Sequence, residues 1–248
     1  MLKLVGSINE LDFLPPDAYA ARITALAETY GTEYDFAMFW IQTTQNGLTA
    51  AVSKLDGDMT VCCKDNADFE ELSAFINAVG FFSLTCDEEV MKKLGVEPQR
   101  TAYTVRFVGC DFDDEYKTVS DCDKRKLYGL LCDCGFELGN YNAFLADVCA
   151  RLGKGTASLA AIMHEEELCA CAFALFKGKK SVLLGAVATN PQARGKGYAS
   201  HLVVTLANEN SEKEVFLFCR NDSLADFYAK NGFEICGRWA VAQRIFKG

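Results

Sequence analysis

The chain has 248 residues, of which 50% are apolar and 24% charged, enough to bury a sizeable core as one large domain or two small ones. A formal charge of -9 and a pI near 4.9 leave no broad basic stripe, which argues against nucleic acid as a partner. The opening run Met1–Ile8 is broken by Asn9, Glu10 and Asp12, and no apolar stretch approaches the ~20 residues of a membrane span. A cytoplasmic protein is expected, with no membrane partner.

In chain order, Tyr19, Ile23, Leu26, Ala27 and Tyr30 recur at helical spacing behind Pro15 and Pro16, predicting a helix from Pro16 to Tyr30. Extended runs follow at Phe36–Gln42, Leu48–Lys54 and Met59–Lys64. Gln45-Asn46-Gly47 and Asp56-Gly57-Asp58 separate them with turn chemistry, so an antiparallel meander is expected. Next come a helix at Asp68–Val79, a strand at Phe81–Thr85, a helix at Glu88–Leu94 and a strand at Thr101–Val108. The acidic, aperiodic segment 111–115 reads as a linker between residues 1–110 and residues 116–248.

Beyond it a strand is expected at Tyr116–Ser120, then amphipathic helices at Asp123–Cys134 and Asn140–Leu152, the second ended by Gly153-Lys154-Gly155. Three extended runs, Ala157–Met163, Leu168–Phe176 and Ser181–Ala188, form a second meander. A turn with two glycines leads into a helix, Gly197–Glu209, whose apolar face carries Leu202, Val203, Leu206 and Ala207. Strand Glu214–Cys219, helix Ser223–Lys230 and strands Phe233–Cys236 and Trp239–Phe246 close the chain. Strand, turn, helix and strand in that order imply local parallel pairing and a mixed α/β sheet.

The twelve cysteines lie scattered through apolar segments, where cysteine acts as a small buried hydrophobe. Cys132-Asp133-Cys134 and Cys169-Ala170-Cys171 are too closely spaced for zinc knuckles, so no metal is expected.

The chemistry concentrates in Gln192-Ala193-Arg194-Gly195-Lys196-Gly197. Where a strand runs into a helix, unpaired backbone N–H groups and the positive end of the helix dipole suit a diphosphate, and glycines let the backbone approach it. Arg194 and Lys196 add positive charge in an otherwise acidic chain. An ATP-binding loop would end in Gly-Lys-Ser/Thr, whereas Gly197 is followed by Tyr198.

Farther on, Asn221 is followed by a helix carrying Tyr228 and then by Gly232-Phe233. With Gln192, Gly195 and Gly197, this pattern resembles the GNAT superfamily of N-acetyltransferases over about the last 130 residues. The resemblance implies the GNAT fold and acetyl-CoA as the donor. Val187, Ala188 and Thr189 would run beside its pantetheine arm, and the turn from Gln192 to Gly197, with Tyr198 and Ala199, would hold the pyrophosphate. Asn221 would contact the cofactor, and Tyr228 would protonate the leaving sulfur. The acceptor implied is a primary amine.

The strand Ser181–Ala188 carries no carboxylate to serve as a base. Water or Glu137 could take the proton, whereas Glu165-Glu166-Glu167 reads as a solvated turn and His201 as a helix residue that packs or faces water. A non-catalytic acyl-CoA-binding regulatory module is the alternative. In the first half, Phe75–Phe81 echoes Phe227–Phe233, with Ile76 in the place of Tyr228 and the strand Met59–Lys64 in that of Glu214–Cys219. That half therefore reads as a degenerate GNAT-like domain without a glycine turn, and one active site per chain is expected. The acceptor's identity and the oligomeric state are not legible.

Overall fold

In the computed structural model, which describes residues 1–111 and 115–244, a short strand β1 (Leu2–Leu4) precedes helix α1 (Ala18–Tyr30). The Asp17 carboxylate caps α1 by accepting the Ala20 N–H at 2.7 Å, which is why the helix begins after the two prolines. The first meander is β2 (Ala37–Thr44), β3 (Gly47–Leu55) and β4 (Asp58–Cys63), antiparallel as its turns demand. Then come α2 (Phe69–Val79), β5 (Ser83–Asp87), α3 (Glu88–Lys93) and β6 (Arg100–Phe107).

The second half has α4 (Lys124–Asp133), α5 (Tyr141–Lys154) and the meander β7 (Ser158–His164), β8 (Glu167–Lys177) and β9 (Ser181–Thr189). It continues with α6 (Tyr198–Glu209), β10 (Glu214–Cys219), α7 (Asp222–Ala229) and β11 (Phe233–Gln243).

Among the described residues, strands β1 to β11 belong to one mixed sheet, in the order β1-β2-β3-β4-β5-β11-β6-β10-β9-β8-β7. With β1 set aside, that order reads the same from both ends once β2, β3, β4, β5 and β11 are matched with β7, β8, β9, β10 and β6. In each half an antiparallel meander leads through a helix to a strand parallel to its last member: β4–α2–β5 and β9–α6–β10. The final strands are exchanged, since β6 of the first half pairs with β10 and β11 of the second half pairs with β5. β6 and β11 then pair with each other at the centre.

Three expectations need correction. The segment Tyr116–Ser120 forms no strand; a single bridge joins Val119 to Ala161 of β7, at the place where β1 flanks β2 in the other half. The two closing strands are one, β11, kinked by a bulge between Ile235 and Gly237, while Phe246 lies outside the described residues, as do residues 112–114 of the acidic segment. The echo between Phe75–Phe81 and Phe227–Phe233 joins unlike positions. Because α2 connects two parallel strands, its counterpart is α6, and the counterpart of α7 is α3. Counting back from the glycine after each helix puts Met91, fully buried, where Tyr228 stands; Ile76 belongs to a different helix.

Side-chain alternation along β8 shows how the second half is packed. Ala170, Ala172 and Ala174 face α6, while Cys171 and Phe173 face α4 and α5. Small side chains on one face let α6 lie close over the strands, and Cys171 on the other face serves as packing.

Candidate active site

β9 and β10 run parallel and in register from Ser181↔Glu214 to Leu184↔Leu217, and the pairing stops there. Beyond it β9 stays with β8, pairing Ala188 with Cys171, while β10 stays with β6, pairing Cys219 with Tyr103. The strands therefore part, and a cleft of about 480 Å³ opens between them. Ala186 adopts a φ of 48 at the start of this opening, within the irregular stretch of the β8–β9 pairing.

The closed end of the cleft is the glycine turn. Gly195 and Gly197 both have a φ of 79, a conformation that costs a side-chain-bearing residue about 1–2 kcal/mol, and a Cβ on either would point into open space. Gly197 is the N-cap of α6, where no side chain caps the helix and no acidic residue occupies the first turn. The helix thus presents its main-chain N–H groups and positive dipole end to the cleft. Arg194 ties the turn to β9 by donating from Nε to the Thr189 carbonyl at 3.4 Å, and the Tyr116 hydroxyl donates to the Lys196 carbonyl at 2.7 Å. Tyr116 also packs edge-on against Tyr198, their rings 4.9 Å apart.

The opposite wall is α7. Asn221 caps it by accepting the Leu224 N–H at 2.9 Å, and Leu224, Phe227 and Tyr228 line the cleft. Tyr228 is 5% exposed, held between Phe227 and Phe233 with ring separations of 5.1 and 5.7 Å. Burial, with a smaller contribution from Cys219, pushes its phenol well above the ordinary tyrosine value, so it keeps its proton even in alkaline solution where an exposed tyrosine would lose it.

Among the residues expected from the sequence, the structure brings together at this cleft Val187, Ala188, Thr189, Arg194, Gly195, Lys196, Gly197, Tyr198, Ala199 and Tyr228. Gln192 and Asn221 do not line it: the side chain of Asn221 is engaged in its cap, and Gln192 sits exposed in the single turn Pro191–Ala193. Glu137 is exposed and away from the cleft, Glu165–Glu167 form the exposed β7–β8 turn, and His201 is buried against Tyr116. Sequence reasoning missed Cys134, Ser200, Phe227 and the brace Tyr116. Phe227 adjoins the recognised tyrosine and was within reach; Cys134, whose thiol donates to the Thr189 carbonyl at 3.4 Å, arrives only through the packing of α4 on β9.

Residues 156–235 match the model of an acetyltransferase (GNAT) domain. A tandem GNAT protein from the clavulanic acid biosynthesis pathway superposes with a TM-score of 0.60 at 12% identity, covering 98% of each chain. A GCN5-related N-acetyltransferase from Sphaerobacter thermophilus gives 0.59 at 15% identity, covering 97% of this chain and 90% of the other. A GNAT-family acetyltransferase from Colwellia psychrerythraea gives 0.55 at 10% identity, covering 99% and 100%. At such identities these likenesses concern the fold, and they extend to both halves. No curated protein matches the chain.

Proposed function

We propose that this chain, an acyltransferase whose residues 156–235 are a GNAT acetyltransferase domain, transfers the acetyl group of acetyl-CoA to a primary amine by direct attack. The observation that carries the reading is the junction of an uncapped, glycine-opened helix N-terminus with a parted pair of parallel strands and a buried, protonated tyrosine.

The residues present suit coenzyme A. Main-chain N–H groups at the start of α6, with Arg194 and Lys196, hold a diphosphate. Val187, Ala188 and Thr189 offer the unpaired edge of β9 to an extended, amide-containing arm, as a strand partner would. When bound, acetyl-CoA supplies a thioester carbonyl open to an amine. N–H groups along the same edge stabilise negative charge developing on the carbonyl oxygen. Tyr228, which lines the cleft and is protonated at neutral pH as tyrosines are, gives a proton to the departing sulfur. Among the described residues no carboxylate lines the cleft, and we take the amine to arrive neutral or to lose its proton to water. Free thiols throughout the chain suit a reducing compartment, and the cytoplasm is the location we infer.

The test is release of free coenzyme A from acetyl-CoA across a panel of primary amines. Amine-dependent thiol release is expected. Tight coenzyme A binding with no release for any amine would instead favour a regulatory acyl-CoA-binding module.

A further inference from the structure

On the face of the sheet away from α6, a second cavity of about 120 Å³ is enclosed by α4, α5, β8 and Ala186 of β9. Leu131, Val148 and Phe173 line it and are buried, whereas Phe136, Leu138, Phe144, Leu175 and Ala186 are only half-buried. Apolar side chains left partly open around an unfilled cavity cost stability unless a ligand covers them. The cavity adjoins the cleft where β9 and β10 part, along two segments. β9 passes from Ala186, which lines the cavity, to Val187, which lines the cleft, and the chain leaving α4 passes from Cys134 in the cleft to Phe136 in the cavity.

Ala186 stands at the junction of the two. Among the described residues it is the one non-glycine residue with a positive φ inside a strand, since Asp56 and Glu165 lie in hairpin turns. Such backbone persists only where the surroundings impose it, and it gathers at ligand sites. Ala186 packs with the side chains of α4 and α5, and Val187 with those of α6. Beside them Gly185 lets Leu175 lean across β9 and close one side of the cavity, because a Cβ there would come within 2.5 Å of Leu175 Cδ1. The charges bordering the cavity are spent on each other. Asp147 and Arg151 form an ion pair one turn apart on α5, Tyr30 donates a further hydrogen bond to Asp147, and Arg151 Nη1 donates to the Leu175 carbonyl at 3.2 Å. No other charged residue lines the cavity among the described residues, so nothing there neutralises a charge on a ligand's far end.

We propose that this cavity receives the tail of the acceptor, which makes the substrate class a primary monoamine with an uncharged aliphatic tail. An apolar cavity of about 150 Å³ stays dry and accepts benzene, so this smaller one suits a tail of about four or five carbons. The assignment rests on the acetyl-transfer reading above and adds the part of the acceptor beyond its nitrogen. A tail seated beside Ala186 leaves the nitrogen at Val187, on the edge of β9 that would carry the thioester. A diamine of equal length would have to bury its second ammonium among phenylalanine and leucine side chains, unpaired, at a large desolvation cost.

Thiol release from acetyl-CoA by the full chain is measured with ethylamine, pentylamine and 1,4-diaminobutane, the last matching pentylamine in length. For pentylamine kcat/KM is expected to exceed that for either of the others by about tenfold or more. Leu138→Trp, at a half-buried loop position, should fill the cavity and bring the pentylamine-to-ethylamine ratio close to one, with coenzyme A affinity reporting an intact fold. Phe144→Ala should enlarge the cavity and move the preference to heptylamine. Pentylamine binding to the coenzyme A-loaded chain is titrated calorimetrically in parallel. Turnover without preference for pentylamine, or a preference that neither variant alters, would overturn the cavity assignment and leave acetyl transfer standing. No turnover of any amine, with pentylamine binding that Leu138→Trp abolishes, would overturn acetyl transfer and keep the cavity as an amine-tail site. Neither turnover nor binding would overturn both.

Discussion

Gly195 and Gly197 carry the left-handed backbone that aims the turn's N–H groups into the cleft. Replacing Gly197 by valine should cost about 1–2 kcal/mol of stability from backbone strain alone and raise Kd for coenzyme A at least tenfold; calorimetry and a thermal melt measure the two effects. Tyr228→Phe should lower kcat about a hundredfold with little change in KM for acetyl-CoA, and wild-type turnover would reduce the tyrosine to packing. The same variant has a pH signature. Tyr228 is raised in the folded state, while in the unfolded chain it titrates near ~10, so the unfolded form loses its proton first. Its contribution to stability is complete below that pH and is lost as pH rises beyond it. Tm plotted against pH should therefore fall less steeply above ~10 in Tyr228→Phe than in the parent protein.

At the scale of elements, α1 belongs by sequence to the first half yet packs across the second. Gly178, after β8, lets it do so: a Cβ there would strike Thr24 Oγ1 and lie 2.9 Å from the Ala21 Cα. Gly178→Ala should push α1 off the sheet and destabilise the protein by about 1–3 kcal/mol, read as a lower denaturation midpoint at unchanged m. Where α1 meets the second half, Tyr30 donates to Asp147 Oδ1 of α5 at 2.5 Å and Thr29 meets Thr156, just beyond α5, at 2.6 Å, while the guanidinium groups of Arg22 and Arg151 lie over the Phe176 ring of β8 at 5.4 and 5.0 Å. The contrast between α6 and α2 is also an element-scale matter. They hold equivalent positions between parallel strands, and the residues at their N-termini decide that one is open to an anion and the other closed.

Across the whole molecule, strand exchange makes each half depend on the other. Without residues 1–110 the second half would lose β6 from between β10 and β11, leaving a gap in the sheet and bare edges. The full chain is expected to unfold in a single calorimetric transition, and residues 116–248 alone to be insoluble or unable to bind coenzyme A. Two resolved transitions, or a soluble, coenzyme-binding fragment, would show instead that the halves fold as independent domains.

Most elements were legible in the sequence because they rest on local physics. The period of apolar residues, Asn-Gly and Asp-Gly turns and capping side chains placed both meanders and α4 to α7 within a few residues. The glycine turn was legible as a turn because few residues other than glycine adopt its left-handed backbone. Tertiary structure alone decided what depends on pairing between distant segments. It exchanged β6 with β11 and reduced Tyr116–Ser120 to one bridge. It assigned α2 to the position of α6, brought Cys134 to the cleft where β9 and β10 part and set Asn221 as the cap of α7. Periodicity reports which face of a segment is buried but never against which partner.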